Sequence, residues 1–130
     1  MTTLPSPTFS EDQLHSRLDQ AASEDLDGLD FGVIGFDAAG VVRRYNRFES
    51  EAAGLAVDRV IGHALFTVVA PCMNNFLVAQ RFEDAEQDGT LLDATIDYVL
   101  TLRMRPVKVR LRLLFAPAAS MRYVLVGRNA

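Results

Sequence analysis

The chain has 130 residues and a formal net charge of -4 at pH 7, with 49% hydrophobic and 23% charged residues. This length and balance predict one globular domain with its own hydrophobic core and leave no room for two full domains. The single cysteine, Cys72, cannot close an intramolecular disulfide. Together with only two histidines, His15 and His63, it also makes a poor ligand set for structural zinc or an iron–sulfur centre.

The cellular compartment is predicted from the cysteine content and the first residues. A lone cysteine is typical of the reducing cytoplasm, and residues 1–10 lack the basic, apolar and small-residue succession of a secretory signal. The longest apolar runs, such as residues 65–72, are far shorter than the roughly 20 residues that cross a bilayer. We therefore expect a soluble, cytoplasmic domain without membrane association.

The net charge hides an asymmetry along the chain. Residues 1–100 carry six basic and seventeen acidic residues, whereas residues 101–130 carry seven basic residues and no acidic one. A basic stretch can bind nucleic acid, but here the basic residues alternate with apolar ones, which is typical of the outer face of β-strands. We expect this face to pair with the acidic half or with a partner, and no nucleic acid is expected. The alternating basic positions are Arg103, Arg105, Lys108, Arg110 and Arg112.

Residues 1–25 are predicted to form a loose arm and a short cap helix. The stretch Ser10–Gln13 predicts a capping box at the start of this helix. Its apolar stripe is thin, so we expect weak contact with the main body, as is common for terminal segments that are easily released. The apolar positions of the stripe are Leu14, Leu18, Ala21 and Ala22.

The main body is predicted to span residues 26–130 and to begin with a β-hairpin. Two β-prone runs, residues 31–36 and 41–45, flank a connector with turn formers at both ends. Asn46 then predicts a helix start and Gly54 a helix end, which gives a helix over residues 47–53.

Two further helical segments and three strands follow in the prediction. A short turn is expected at residues 57–61, and a long central helix from Asn74 or Asn75 to Asp88, with Phe76 on its apolar face. Beyond Gly89 the period changes to two, which predicts strands at residues 96–105, 107–115 and 122–127. The sequence thus predicts an α+β fold: a five-stranded antiparallel sheet with helices on one face and a short N-terminal helical cap.

Five local strings occur in one order along the chain. They are residues 26–32 (Leu-Asp-Gly-Leu-Asp-Phe-Gly), Tyr45-Asn46 with Glu49, Val60-Ile61-Gly62, residues 69–72 (Val-Ala-Pro-Cys) and residues 104–109 (Met-Arg-Pro-Val-Lys-Val). With these strings, the chain resembles the photoactive yellow protein family of PAS domains over about residues 26–127. The resemblance implies the PAS fold.

The resemblance also implies a pigment site. In that family p-coumaric acid (4-hydroxycinnamic acid) is attached as a thioester to the position of Cys72, and its phenolate accepts hydrogen bonds from the positions of Tyr45 and Glu49. Light isomerises the pigment, Glu49 would pass its proton to the phenolate, and the new buried charge would loosen the N-terminal helix. The implied function is a blue-light photoreceptor. The other implied pocket residues are Ala53, Leu55, Leu65, Phe66 and Met104.

Several positions depart from the family pattern. The family threonine that bonds the equivalent tyrosine and the arginine that shields the pigment are replaced by Ala53 and Leu55. Leu65 stands in place of an aromatic residue and Leu102 in place of a tyrosine. These changes predict a shifted absorption maximum, an altered phenol pKa and altered recovery kinetics, or a domain that has lost the pigment.

The residues taken alone leave other interpretations open. Cys72 also fits a buried filler thiol, Glu49 a capping-box acid, and Tyr45 a core aromatic. The alternative function is a pigment-free PAS sensor or interaction module that binds another small ligand or dimerises through its sheet. An enzyme with Cys72 as nucleophile is disfavoured, because neither histidine stands in a context that suggests its base. The receiver of a signal would be a separate protein or a second copy in a homodimer.

Overall fold

A computed structural model describes residues 7–101 and 106–128 of the chain. Its centre is one antiparallel sheet of five strands in the order β2-β1-β5-β4-β3, which confirms the predicted α+β class. The strands are β1 (Gly32–Phe36), β2 (Val42–Tyr45), β3 (Leu92–Leu100), β4 (Val107–Phe115) and β5 (Arg122–Gly127).

The helices divide between the two faces of the sheet. They are α1 (Leu14–Gln20), α2 (Ser23–Asp27), α3 (Arg47–Ala53), α4 (Val57–Val60) and α5 (Ala79–Asp88). A π-helical turn (Leu65–Val69) and a 3-10 turn (Pro71–Met73) lie between α4 and α5. Within residues 7–101 and 106–128, no helix combines the length and the apolar character that crossing a membrane requires.

Side chains alternate between the two faces of the sheet along the central strands, and each face carries its own hydrophobic cluster. On β1, Ile34 belongs to the larger cluster, which α4, α5 and the connecting turns cover, whereas Val33 belongs to a smaller cluster under α1 and α2. On β5, Val124 and Leu125 divide in the same way. Successive strand residues point to opposite faces, so the N-terminal segment packs on the face opposite the other helices.

The hairpin and α3 are confirmed by the structure. β1 and β2 pair in antiparallel register around the turn at residues 37–40. The α3 helix spans the predicted residues, with the Asn46 side chain accepting a hydrogen bond from the Glu49 amide and Gly54 ending the helix at φ 70°. Positive φ suits glycine, which explains why the local sequence was sufficient here.

The predicted capping box at Ser10–Gln13 is wrong. α1 begins at Leu14, and Gln13 precedes it with φ 55° and no side-chain cap. The segment also continues differently, because Ala22 lies outside α1 and directly precedes the separate helix α2. Leu14 and Leu18 are fully buried, so α1 is anchored more firmly than its thin stripe predicts.

Polar side chains add to the anchoring of α1. Arg44 donates to the Leu18 carbonyl at 2.5 Å and also to the Ala21 carbonyl. On the same face, the Tyr123 hydroxyl donates to Asp19 at 2.7 Å. These bonds tie the C-terminal end of α1 to β2 and β5.

The long central helix begins later than predicted. Residues 74–78 form a turn, because the Asn75 side chain accepts hydrogen bonds from the Leu77 and Val78 amides at 3.0 and 3.2 Å. An asparagine side chain that bonds nearby amides offers the backbone an alternative to the helix. Phe76 is therefore 76% exposed and not part of the core.

The basic strand face pairs with acidic residues, as predicted, at two described positions. Arg110 donates to Asp97 at 3.3 Å and Arg112 to Asp93 at 2.9 Å, both across β3 and β4. Arg112 is not solvated, however, because it is buried and also donates to the carbonyls of Phe9 and Glu11. β3 begins at Leu92 rather than residue 96, and residues 102–105 lie outside the described residues.

Candidate functional site

Asn46 positions the start of the candidate site. Its Oδ1 accepts from the Val33 and Glu49 amides at 2.9 and 3.2 Å, and its Nδ2 donates to the Leu26 and Phe31 carbonyls, both at 2.9 Å. All four bonds are buried. One side chain thus fixes the entry to α3 against β1 and the end of α2.

Glu49 lies in the first turn of α3 with 1% of its surface exposed. Its Oε2 accepts a hydrogen bond from Arg128 Nη2 at 2.7 Å, while its Oε1 is buried without a partner among the described residues. The interpretation of Glu49 as a capping-box acid is wrong, because the Asn46 amide donates to the Val33 carbonyl instead. Burial raises the pKa of Glu49, and the Arg128 guanidinium offsets part of that rise.

Gly32 on β1 provides the space for this carboxyl. A Cβ atom at position 32 would lie 2.1 Å from Glu49 Oε1 and 3.0 Å from its Cβ and Cδ. Any larger residue at this position therefore displaces the Glu49 side chain or the strand.

Gly32→Ala should destabilise the domain by about 2 kcal/mol, because overpacking a buried site forces neighbours from their preferred positions. Chemical denaturation measures this loss. Gly28→Ala is the matched control, since a Cβ there meets only the Asp25 carbonyl at 3.6 Å. Equal stability of the two alanine variants would show that Glu49 is not confined by Gly32.

Tyr45 ends β2 one residue before Asn46 and is 7% exposed. Burial raises the pKa of its hydroxyl, and the charge of Glu49 raises it further. The interpretation of Tyr45 as a core aromatic is confirmed, because Tyr45 belongs to the larger hydrophobic cluster. With both pKa values raised, Tyr45 and Glu49 are biased toward their protonated, hydrogen-bond-donating forms.

Cys72 lies in the 3-10 turn that precedes α5 and is half-buried. Its carbonyl accepts from the Tyr98 hydroxyl at 2.5 Å and from Asn75 Nδ2 at 3.1 Å. Asn75 Nδ2 also donates to the Tyr98 hydroxyl at 2.6 Å. The backbone that carries the thiol is therefore held by both β3 and the loop before α5.

The remaining predicted positions divide between the cluster and α3. Leu65 is fully buried in the larger cluster, and Leu55, Phe66 and Cys72 pack against it. The Phe66 ring meets Phe36 edge to face at 5.5 Å between centroids. Ala53 is buried near the C-terminal end of α3.

One predicted pocket residue, Met104, lies outside the described residues. The structure thus places Tyr45 and Cys72 on one cluster, and an ionised Glu49 would raise the pKa of Tyr45 further. Their roles in a pigment site remain predictions.

Sequence reasoning did not single out Arg128, Asn75 or Tyr98. Arg128 reaches Glu49 across 79 positions of the chain, so no local pattern marks the contact. The sequence does contain a signal for the turn at Asn75, since asparagine favours turns over helix interiors. Tyr98 was predicted only as a member of an alternating strand.

No family model matches the chain. It is 32% identical over 120 residues to the photoactive yellow protein of Halochromatium salexigens, covering 92% of this chain and 95% of that protein. Among solved structures, it is similar to the photoactive yellow protein domain of the sensor histidine kinase Ppr from Rhodospirillum centenum. That match has 38% identity and a TM-score of 0.78, and it covers 85% of this chain and 96% of the other.

A more distant likeness concerns the fold alone. The PAS domain of an HTR-like protein from Haloarcula marismortui is 14% identical, with a TM-score of 0.58 over 92% of this chain and 100% of that chain. The strand order and the closer relatives agree with this architecture. The chain has the PAS fold and belongs to the photoactive yellow protein family.

Proposed function

We propose that this domain is a blue-light photoreceptor that carries p-coumaric acid as a thioester on Cys72. The observation that carries the proposal is the buried Glu49 carboxyl, whose Oε1 has no partner among the described residues. A buried polar atom without a partner is costly, and a pigment phenolate would accept a hydrogen bond from it. The chain's only cysteine packs on the same cluster as Tyr45.

The residues present suit a phenolate. A protonated carboxyl and a tyrosine hydroxyl are both O–H donors, and hydrogen bonds to an anion are about twice as strong as those between neutral groups. Burial favours these protonated forms at Glu49 and Tyr45.

In the proposed mechanism, Cys72 Sγ holds the pigment and the Asn75–Tyr98 contacts hold the backbone of Cys72 in place. When bound, the p-coumaroyl group supplies absorption of blue light and a double bond that isomerises. Glu49 holds the transferable proton in the dark, and Leu65 and Phe66 exclude water from the cluster side of the site. Loss of that proton would leave a carboxylate in the interior, which only Arg128 offsets among the described residues.

Ala53 and Leu55 set expectations for the pigment's properties. Ala53 has no hydroxyl with which to bond Tyr45, and the half-buried Leu55 carries no positive charge. The phenolate would thus lack one indirect hydrogen bond and one nearby cation. We propose that this domain has a different absorption maximum, phenol pKa and recovery rate from relatives that keep both groups.

The N-terminal segment is the proposed output element. Arg112 donates to the Phe9 and Glu11 carbonyls at 3.0 and 2.7 Å, and Arg44 holds the end of α1. A new charge in the interior would favour states that loosen these contacts. The receiver would be a signalling protein or a second copy of this chain.

The pigment proposal is tested by incubating the purified chain with activated p-coumaric acid. The Cys72 sulfur should form a bond to the coumaroyl carbonyl carbon, while the activating group leaves and the thiol proton is released. The intact mass should therefore increase by one coumaroyl group. The visible band should lie to the red of the free thioester in water. Cys72→Ala should show neither change.

Two outcomes would overturn the proposal. An unchanged mass of the wild-type chain would favour a pigment-free PAS module. A gain in mass with the absorption of the free thioester would mean that Cys72 reacts but that Tyr45 and Glu49 do not bind the phenolate.

A further inference from the structure

Arg128 connects the end of the sheet to the interior of the domain. It follows Gly127, the last residue of β5, and its Nη2 lies 2.7 Å from Glu49 Oε2 on α3. The side chains of Arg128 and Glu49 are 15% and 2% exposed. This pair is the most enclosed of the ion pairs formed by described residues.

The surroundings of Glu49 contain few other charges. Among the described residues, two titratable groups interact electrostatically with Glu49: Tyr45, at the end of β2, and Arg128, directly after β5. β1 contributes Gly32, which has no side chain. Arg128 is therefore the one described source of positive charge for this carboxyl.

Because both side chains are buried, the Arg128–Glu49 contact strongly affects whether Glu49 is ionised. A buried carboxylate without a partner is strongly unfavourable, whereas a hydrogen-bonded guanidinium recovers much of that cost. The Arg128 Nε is itself buried without a partner among the described residues. When Glu49 is ionised, each member of the pair therefore compensates the buried charge of the other.

We propose that Arg128 is a positioning residue for Glu49: its guanidinium holds the Glu49 carboxyl and acts as the counter-ion that lets this group ionise inside the domain. The inference rests on the proposed function only where it treats Glu49 as the proton donor to a pigment. The ion pair itself belongs to the unloaded chain and can be tested there.

The position of Arg128 gives this pair a structural consequence. A Cβ atom at Gly127 would lie 3.4 Å from the Phe9 ring, so the N-terminal arm packs directly on the end of β5. Arg128, Phe9 and Phe31 also line one open groove. Arg128 therefore joins Glu49 to the strand end on which the arm packs.

The test is a pH titration of Glu49 in the unloaded chain, followed by carbon-13 NMR of the glutamate carboxyls. Glu49→Gln assigns the signal, because it removes one resonance. In Arg128→Gln, the Glu49 midpoint should rise by about one pH unit or more, since an opposite charge at this range lowers a carboxyl pKa by roughly 1 to 3 units. Arg128→Lys keeps the positive charge and should restore a midpoint closer to that of the wild type.

Arg110→Gln is the matched control. It removes the same charge from the same groove, but Arg110 is 62% exposed and pairs with Asp97 instead of Glu49. Its Glu49 midpoint should stay within about 0.3 units of the wild type, because exposed charges are screened by solvent and salt. Equal midpoints in the wild type, Arg128→Gln and Arg110→Gln would overturn the proposal.

The proposal can also be tested if the Arg128→Gln variant fails to fold. If Arg128→Gln does not fold, the double variant Glu49→Gln/Arg128→Gln should fold, because both charges are then absent. Failure of the double variant as well would mean that Arg128 acts independently of Glu49, which contradicts the proposal. None of these measurements requires the pigment, so their failure is distinct from failure of the photoreceptor proposal.

Discussion

Replacing Asn46 by alanine should lower the free energy of unfolding by about 3 kcal/mol and the melting temperature by about 10 °C. The substitution removes four buried hydrogen bonds that join α3 to β1 and to the end of α2. Each buried donor or acceptor left without a partner costs about 1 to 3 kcal/mol, although such costs do not add fully. Thermal and chemical denaturation of the unloaded chain measure the loss.

Two variants separate the bonds from the residue itself. Asn46→Asp keeps the acceptor for the Val33 and Glu49 amides but loses the donors to Leu26 and Phe31, so it should also destabilise the domain. Asn74→Ala removes an exposed asparagine and should change stability by no more than about 0.5 kcal/mol. An Asn46→Ala variant as stable as Asn74→Ala would contradict the role given to this side chain.

Replacing Glu49 by glutamine should remove a distinct component of the pH dependence of stability. The folded-state pKa of Glu49 is raised above its ordinary value of 4.5. Between these two pKa values the folded chain binds more protons than the unfolded chain, so stability falls as the pH rises. The contribution is fully present below about pH 4.5 and is lost as the pH rises through the folded-state pKa.

The expected size is about 1.4 kcal/mol for each unit by which the pKa is raised. Asp37, Glu86 and Asp93 have lowered pKa values and act in the opposite sense, losing stability as the pH falls. These three contributions are the same in the wild type and in Glu49→Gln, so the difference in unfolding free energy between the two chains gives the contribution of Glu49 alone. Urea denaturation from pH 4 to pH 8 measures it, with Glu51→Gln, an exposed change on the same helix, as the control. Parallel curves for the wild type and Glu49→Gln would contradict the raised pKa.

In the pigment-loaded chain, Glu49→Gln should move the visible band to longer wavelength and slow or abolish proton transfer. Glutamine donates a weaker hydrogen bond to a phenolate than a carboxylic acid does and has no proton to give up. Visible spectra of the two loaded chains check the first effect. An unshifted band would mean that Glu49 does not contact the pigment.

Local signals were sufficient where one or two residues determine the backbone. Asn46 and Gly54 bound α3 correctly, because a side-chain cap and a left-handed glycine act within a few residues. Asn75 shows the limit of the same approach. Its apolar neighbours had helical spacing, but its side chain bonded the next amides and delayed the start of α5.

Long-range contacts account for what the sequence could not predict. The Glu49 side chain satisfied a local capping pattern, yet it accepts a hydrogen bond from Arg128, which follows the last strand. Arg112 followed the alternation of an exposed face, yet the N-terminal arm covers it. Both outcomes depend on which segments meet in the fold, and no spacing along the chain encodes that.

The proposed light response is tested most directly by illuminating the wild-type chain after it has been loaded with p-coumaric acid. Blue light should bleach the visible band, and the band should return in the dark, because Glu49 would lose its proton and then recover it. Cys72→Ala, treated in the same way, should give no band to bleach. A loaded wild-type chain whose band is unchanged under blue light would contradict the photoreceptor function.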